Sequence, residues 1–254
     1  MPIPDANVLS FTKLADQIGG FTAALGYRVY FGYSVGVIGN VDGTHLALLV
    51  HGYNDNSGTG YLQGCAYIIF IDTTGTCQSF QKIALQGSGG FTATLDGHPP
   101  EGMGPMHGDV DGDGIDDFAM GHPNDDTHFQ NGGAVYVVFL TSTGEASSFT
   151  KLASNGMNGF TWILATDDHF GFRLDGLGDL DGDGVPDLAV GANDVDDVNS
   201  NSGSAFVLFL DSAGACKSSQ KISNSHDAFT GTFAQSDGCG SALANAVFYI
   251  YIYI

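Results

Sequence analysis

Three short apolar runs recur along the chain: Cys65-Ala-Tyr-Ile-Ile-Phe-Ile71, Ala134-Val-Tyr-Val-Val-Phe-Leu140 and Ser204-Ala-Phe-Val-Leu-Phe-Leu210. Their length and their β-branched and aromatic content predict buried strands. The surrounding polar and apolar positions repeat with them. In the third copy, Phe170–Leu174 and a little beyond predicts a first strand and Asp187–Gly191 a second. Gly203–Leu210 predicts a third and Ser218–Ile222 a fourth, with a polar loop over 192–202 and a tight turn at Asp211–Gly214. No stretch carries a helical period.

Four independent markers keep one period. A Lys-(Leu/Ile) step recurs at Lys13, Lys82, Lys151 and Lys221, and a Phe-Thr pair at Phe21, Phe91, Phe160 and Phe229. An acidic or Asn-led loop starts at Asn40, Asp109 and Asp179, and the apolar runs above keep the same step of 69 or 70 residues. Four antiparallel strands per repeat predict an all-β fold of β-propeller blades. A solenoid with one strand per turn is the weaker reading, because its repeats are usually much shorter. The array divides into the end of a preceding blade and a connection (1–29), three near-complete repeats (30–99, 100–169 and 170–238) and a truncated fourth (239–254). Val8–Leu14 matches strand four of a preceding blade, and Cys239–Leu243 matches strand one of a fourth. The expectation is an incomplete ring, either a frame cut from a longer exported protein or an arc that associates through its open blade edges. The closing Val247-Phe-Tyr-Ile-Tyr-Ile-Tyr-Ile254, uncharged and without proline, would be adhesive as a free edge.

The chemistry lies in the loops between strands one and two. Asp109-Val-Asp-Gly-Asp-Gly-Ile-Asp-Asp117 and Asp179-Leu-Asp-Gly-Asp-Gly-Val-Pro-Asp187 put carboxylates at positions 1, 3, 5 and 9, with glycines at 4 and 6. Alternating acids on a tight loop gather hard oxygens around one point, which suits calcium, and the glycines admit the backbone angles of such a wrap. The plainer alternative is two acidic turns, but two full copies at repeat spacing favour a metal. An EF-hand shares the early positions but needs a bidentate acid at position 12 and flanking helices. Position 12 is Met120 in one loop and Val190 in the other, both in strand-like runs.

Charge narrows the partners. The chain has 28 Asp+Glu against 7 Lys+Arg and a formal net charge of −21, which argues against nucleic acid and anionic membrane surfaces. Two calcium ions would offset only four of those charges. No run is long enough for membrane insertion as a helix, and Met1-Pro-Ile-Pro-Asp5 lacks the basic and apolar regions of a signal peptide. Cys65, Cys77, Cys216 and Cys239 show no metal-ligand spacing, and Cys65 and Cys77 would sit too far apart on one hairpin for a disulfide, so all are read as mostly free.

Phe31-Gly32 and Phe170-Gly171, Gly121-His-Pro123 and Gly191-Ala-Asn193, with the Asp-rich loop between them, resemble the FG-GAP repeat of integrin α-subunit propellers and related surface proteins. The resemblance implies a non-catalytic adhesion or recognition module, extracellular or at the cell surface, with calcium in these loops. It implies the position-7 carbonyl as a further ligand, so the sets are Asp109, Asp111, Asp113, Ile115 and Asp117, then Asp179, Asp181, Asp183, Val185 and Asp187. Repeat one departs from the pattern, with Asn40, Asp42, Thr44 and Leu48 at the side-chain positions, and its site is expected to be weak or lost. Repeat two has Pro100-Glu101 in place of Phe-Gly, and the fourth has Cys239-Gly240 with no acidic loop after it.

Other motifs read as structural. Gly32-Tyr-Ser-Val-Gly36 fits a nucleophile elbow, but its counterpart Gly171-Phe-Arg-Leu-Asp175 dispenses with the serine. The eight histidines form no metal-binding pair, and His122 reads as ordinary loop packing. Trp162, between blades, reads as core. Antiparallel geometry puts the metal loops on one face and the strand-two-to-three and inter-blade loops on the other. That second face carries Tyr53–Asp55, Asn124–Phe129, Asp167–His169 and Asn193–Asn201, long polar segments that differ between repeats. A protein or glycan ligand is expected there, with Asp125, Asp126, Asp167 and Asp168 favouring a basic or cation-bridged partner. The alternatives are a non-catalytic segment of a larger secreted enzyme and a structural spacer in a long repeat protein.

Overall fold

The computed structural model describes residues 11–26, 28–55, 64–84, 87–95, 98–224 and 230–244. They form three four-stranded antiparallel sheets, each in simple meander order. The first holds β1 (Tyr30–Asn40), β2 (Leu46–Tyr53), β3 (Cys65–Ile71) and β4 (Cys77–Ala84). The second holds β5 (Gly102–Pro105), β6 (Phe118–His122), β7 (Ala134–Leu140) and β8 (Ala146–Ala153). The third holds β9 (Phe170–Gly178), β10 (Asp187–Ala192), β11 (Ser204–Leu210) and β12 (Cys216–Ile222). The apolar runs are the third strands, as the pattern predicts. These are propeller blades, and the ring they belong to is not closed.

The first strands β1, β5 and β9 pack side by side around the inside of the arc, with a cavity of about 460 Å³ among them. Consecutive blades share their cores. Phe118, Met120 and Tyr136 of the second blade face Leu49, Ile68 and Phe70 of the first. Leu188, Val190 and Phe206 of the third face Val135, Val137 and Phe139 of the second. The recurring Phe marks the connection entering each blade: Phe21, Phe91 and Phe160 are buried against the aromatic rings of the blade that follows.

Close backbone approach dictates two glycines. A Cβ on Gly121 would lie 1.9 Å from the Gly171 carbonyl oxygen, so β6 and β9 can meet only without a side chain there. Gly191 repeats this contact against Gly240, at 2.0 Å. Parallel bridges Gly133–Phe170 and Gly203–Cys239 match as well. Residues 239–241 therefore meet the third blade as the start of the third meets the second, but they form only an isolated bridge and not the expected first strand. Beyond them the outer face of the third blade is half-exposed at Ala189, Val207 and Phe209, whereas Ala119, Val137 and Phe139 at the same register are buried.

Several expectations need correction. Residues 11–14 form no strand, although Thr12 donates to the Thr74 carbonyl as Thr150 of β8 donates to that of Ala213. The start of that segment (8–10), Phe229 and the tail from 245 lie outside the described residues. Strand four of the third blade starts at Cys216 rather than Ser218, because a bulge between Phe209 and Leu210 lets pairing run to the turn. His122 is the fully buried end of β6, not a surface loop residue, and its Nε2 is 3.0 Å from the His98 carbonyl oxygen. Trp162 packs edge-on against Phe206 and donates to Ser219 Oγ, as a core aromatic should. Ser34 lies inside β1, so no strand-to-helix turn exists at the elbow-like motif. All four cysteines are free, and burial pushes the Cys65 thiol up to about 12 and that of Cys216 to about 11. Among the described residues no helix is long and apolar enough to cross a membrane.

Candidate metal centres

The loop between β5 and β6 is built by Asp109. Its Oδ1 accepts from the amides of Gly112 and Asp113, and its Oδ2 from Gly114, at 2.6–3.2 Å. Asp179 does the same for Gly182, Asp183 and Gly184 in the loop between β9 and β10. The turn needs positive φ at positions 4 and 6, which the glycines supply (+81° and +89°, +80° and +92°). The position-7 side chains, Ile115 and Val185, pack onto the blade cores and pin the loop down.

Position 9 closes each site. Asp117 and Asp187 are buried, and each bridges two segments. Asp117 accepts from the amides of Val110 and Leu140 at 2.9 Å, and Asp187 from those of Leu180 and Leu210 at 2.9 and 3.0 Å. Carboxylate oxygens of Asp109, Asp111 and Asp117 converge within 4.8 Å, as do those of Asp179, Asp181 and Asp187. Asp113 and Asp183 stand beside these triplets, their Oδ1 atoms accepting from the amides of Ile115 and Val185. Burial pushes Asp117 up to about 7, with Asp111 and Asp109 adding to the shift against its two amide hydrogen bonds. Burial raises Asp187 and Asp111 likewise. Converging anions that resist ionisation are what a divalent cation would relieve, and an all-oxygen donor set suits a hard one. The residues fit the ion: Asp109, Asp111 and Asp117 would hold it in one loop, and Asp179, Asp181 and Asp187 in the other.

The loop between β1 and β2 has gone another way. Asp42 accepts from the amides of Thr44 and His45 and pairs with His45 Nδ1 at 2.7 Å. Burial opposes ionisation of Asp42, but those hydrogen bonds outweigh it and hold its carboxyl below the usual range. Strand pairing also shows this loop to be one residue shorter. Leu48 pairs with Ile69 as Phe118 pairs with Val138, so Ala47, and not Leu48, stands where Asp117 does. The loop keeps a structural link, for Asp116 exchanges hydrogen bonds with the backbone of Asn40.

Of the acids expected to line the opposite face, only Asp126 and Asp167 are exposed. Asp125 is buried, taking the Lys151 ammonium at 2.7 Å with the Tyr136 hydroxyl at 3.5 Å. Asp55, Lys82 and Tyr67 form the same latch in the first blade. Asp168 is buried too and caps the Ala165 amide. Both are correctly read as loop residues but are structural, because a long loop returning to the core needs partners for its backbone and for the buried lysine. The loops themselves join into one rim: Asn131 donates to Asp167, and His169 pairs with Asp194 at 2.7 Å. One residue that sequence reasoning missed is Lys217, whose ammonium contacts Asp181 and Asp183 across the second acidic loop.

Integrin alpha-PS2 of Drosophila melanogaster is 37% identical over 93 residues, which cover 36% of this chain and 6% of that protein. The chain thus spans a small part of its relative's length. Residues 102–138 and 170–208 match the FG-GAP repeat, each segment running from the first strand of a blade through its acidic loop into the third, so the second and third blades are FG-GAP repeats of an integrin-α-like propeller.

Proposed function

We propose that the chain is a calcium-stabilised, non-catalytic recognition module acting outside the cell or at its surface. The observation that carries this reading is the pair of three-carboxylate centres at repeat spacing, each closed by a buried Asp bridging two segments of its own blade. The ion is structural: it ties the inner strand to the loop that leaves it. The likeness to an integrin α chain supports an extracellular setting and a protein partner. A structural spacer would have little use for second-face loops that differ from blade to blade, whereas a recognition surface would.

The partner, a protein or glycan, docks on the rim opposite the metal loops, where Asp126, Asp167 and Asp196 are exposed. The calcium-loaded chain, screened against arrays of surface proteins and glycans, should find a basic or cation-bridged partner. Asp126→Asn with Asp167→Asn should slow its association and flatten the salt dependence without disturbing folding. Binding that follows substitutions on the metal face alone would refute the assignment.

The half-exposed apolar face of the third blade supports self-association through open blade edges. Light scattering with size-exclusion chromatography should show concentration-dependent association that weakens when residues 245–254 are removed. A compact monomer destabilised by that removal would instead support closure of a small ring.

A further inference from the structure

We infer that the two acidic loops are unequal calcium sites, because Lys217 serves as a tethered cation in the third-blade loop and competes there with the ion. The inference rests on the calcium reading above. Lys217 is the second residue of β12. Its Nζ donates to Asp181 Oδ2 at 3.1 Å and to the Asp183 carboxylate. Asp181 belongs to the converging triplet, so an ion entering that loop must share or displace the ammonium.

The second blade has no such group. Leu140 pairs with Ala146 as Leu210 pairs with Cys216, which makes Ser147 the counterpart of Lys217. The Ser147 hydroxyl turns back to the Phe139 carbonyl. A second difference points the same way. The second-blade loop carries Asp116 where the third has Pro186, so its field holds an extra carboxylate, engaged with the Asn40 amide. Affinity in oxygen-ligand loops follows the charge gathered at the site, and a resident ammonium lowers it. Because the lysine pair is exposed, the effect is modest and fades with salt.

The second-blade loop should therefore bind calcium about fivefold more tightly at low ionic strength. Calorimetry on variants with one loop silenced isolates each site. With Asp111→Ala silencing the second-blade loop, Lys217→Gln should tighten the remaining site about threefold. With Asp181→Ala silencing the third-blade loop, Ser147→Lys should loosen the other by a similar factor. Two sites whose affinities ignore both substitutions would overturn the inference and leave the calcium reading intact. No calcium in either loop of any variant would remove both.

Discussion

Gly121→Ala is expected to undo the docking of the third blade on the second. The new methyl would lie 1.9 Å from the Gly171 oxygen and 2.7 Å from its carbonyl carbon. Both are backbone atoms of a strand held on its other side by β10, so no side chain can turn aside. Overpacking in a tight core costs about 1–3 kcal/mol, and a contact with rigid backbone belongs at the upper end, about 3 kcal/mol. Urea unfolding should show this loss, or a first transition belonging to the third blade. Gly191→Ala makes the same contact against Gly240, where the neighbouring segment is held by an isolated bridge at Cys239 rather than by a strand ladder, and should cost less. Equal, small losses at both positions would show that the blades do not depend on this contact.

Asp125→Ala should be the most damaging substitution among the loop acids. It strands the Lys151 ammonium, which otherwise holds Asp125 and Thr127 above the Tyr136 ring. Removing one partner of a largely buried pair costs about 3 kcal/mol. A double-mutant cycle with Lys151→Met should recover part of it, and the third blade shows why. There Val195 and Phe206 occupy the places of the Asp and the Tyr, and Lys221 rests against Trp162 and Phe206 instead. The sign with pH follows from Asp125. Burial alone would raise its carboxyl, but hydrogen bonds from His122, Lys151 and Thr127 outweigh burial and hold it well below the ordinary range. A depressed acid stabilises above its unfolded-state value near 4 and loses that contribution as pH falls further. Parent and Asp125→Ala stabilities should therefore converge below about pH 4 and differ fully at neutral pH. A constant gap across that range would contradict the latch.

The strands and the acidic loops were legible because their causes are local. Seven-residue β-branched and aromatic runs have few places to go but a sheet interior, and Asp–Gly alternation encodes its own turn. What failed depended on partners far along the chain. Asp125 reads as a surface acid until Lys151, 26 residues on, is folded against it. A signal was present: in a chain with only 7 Lys+Arg, a lysine kept at Lys82 and Lys151 in step with Asp55 and Asp125 marks a buried pair. The shortened first loop was hidden because only strand pairing shows that Ala47, not Leu48, faces the site. Lys217 stands 34 residues from Asp183, and no spacing rule connects them.

The central claim, that two of the three loops hold calcium, is tested most directly by counting ions. Equilibrium dialysis at millimolar calcium should give two ions per chain, each raising stability by about 1 kcal/mol over the chelated form through mass action. Asp117→Asn and Asp187→Asn should each lower the count to one, and together to zero, while Asp42→Asn should leave it at two. A chain that binds no calcium, or whose count ignores Asp117 and Asp187, would contradict the account.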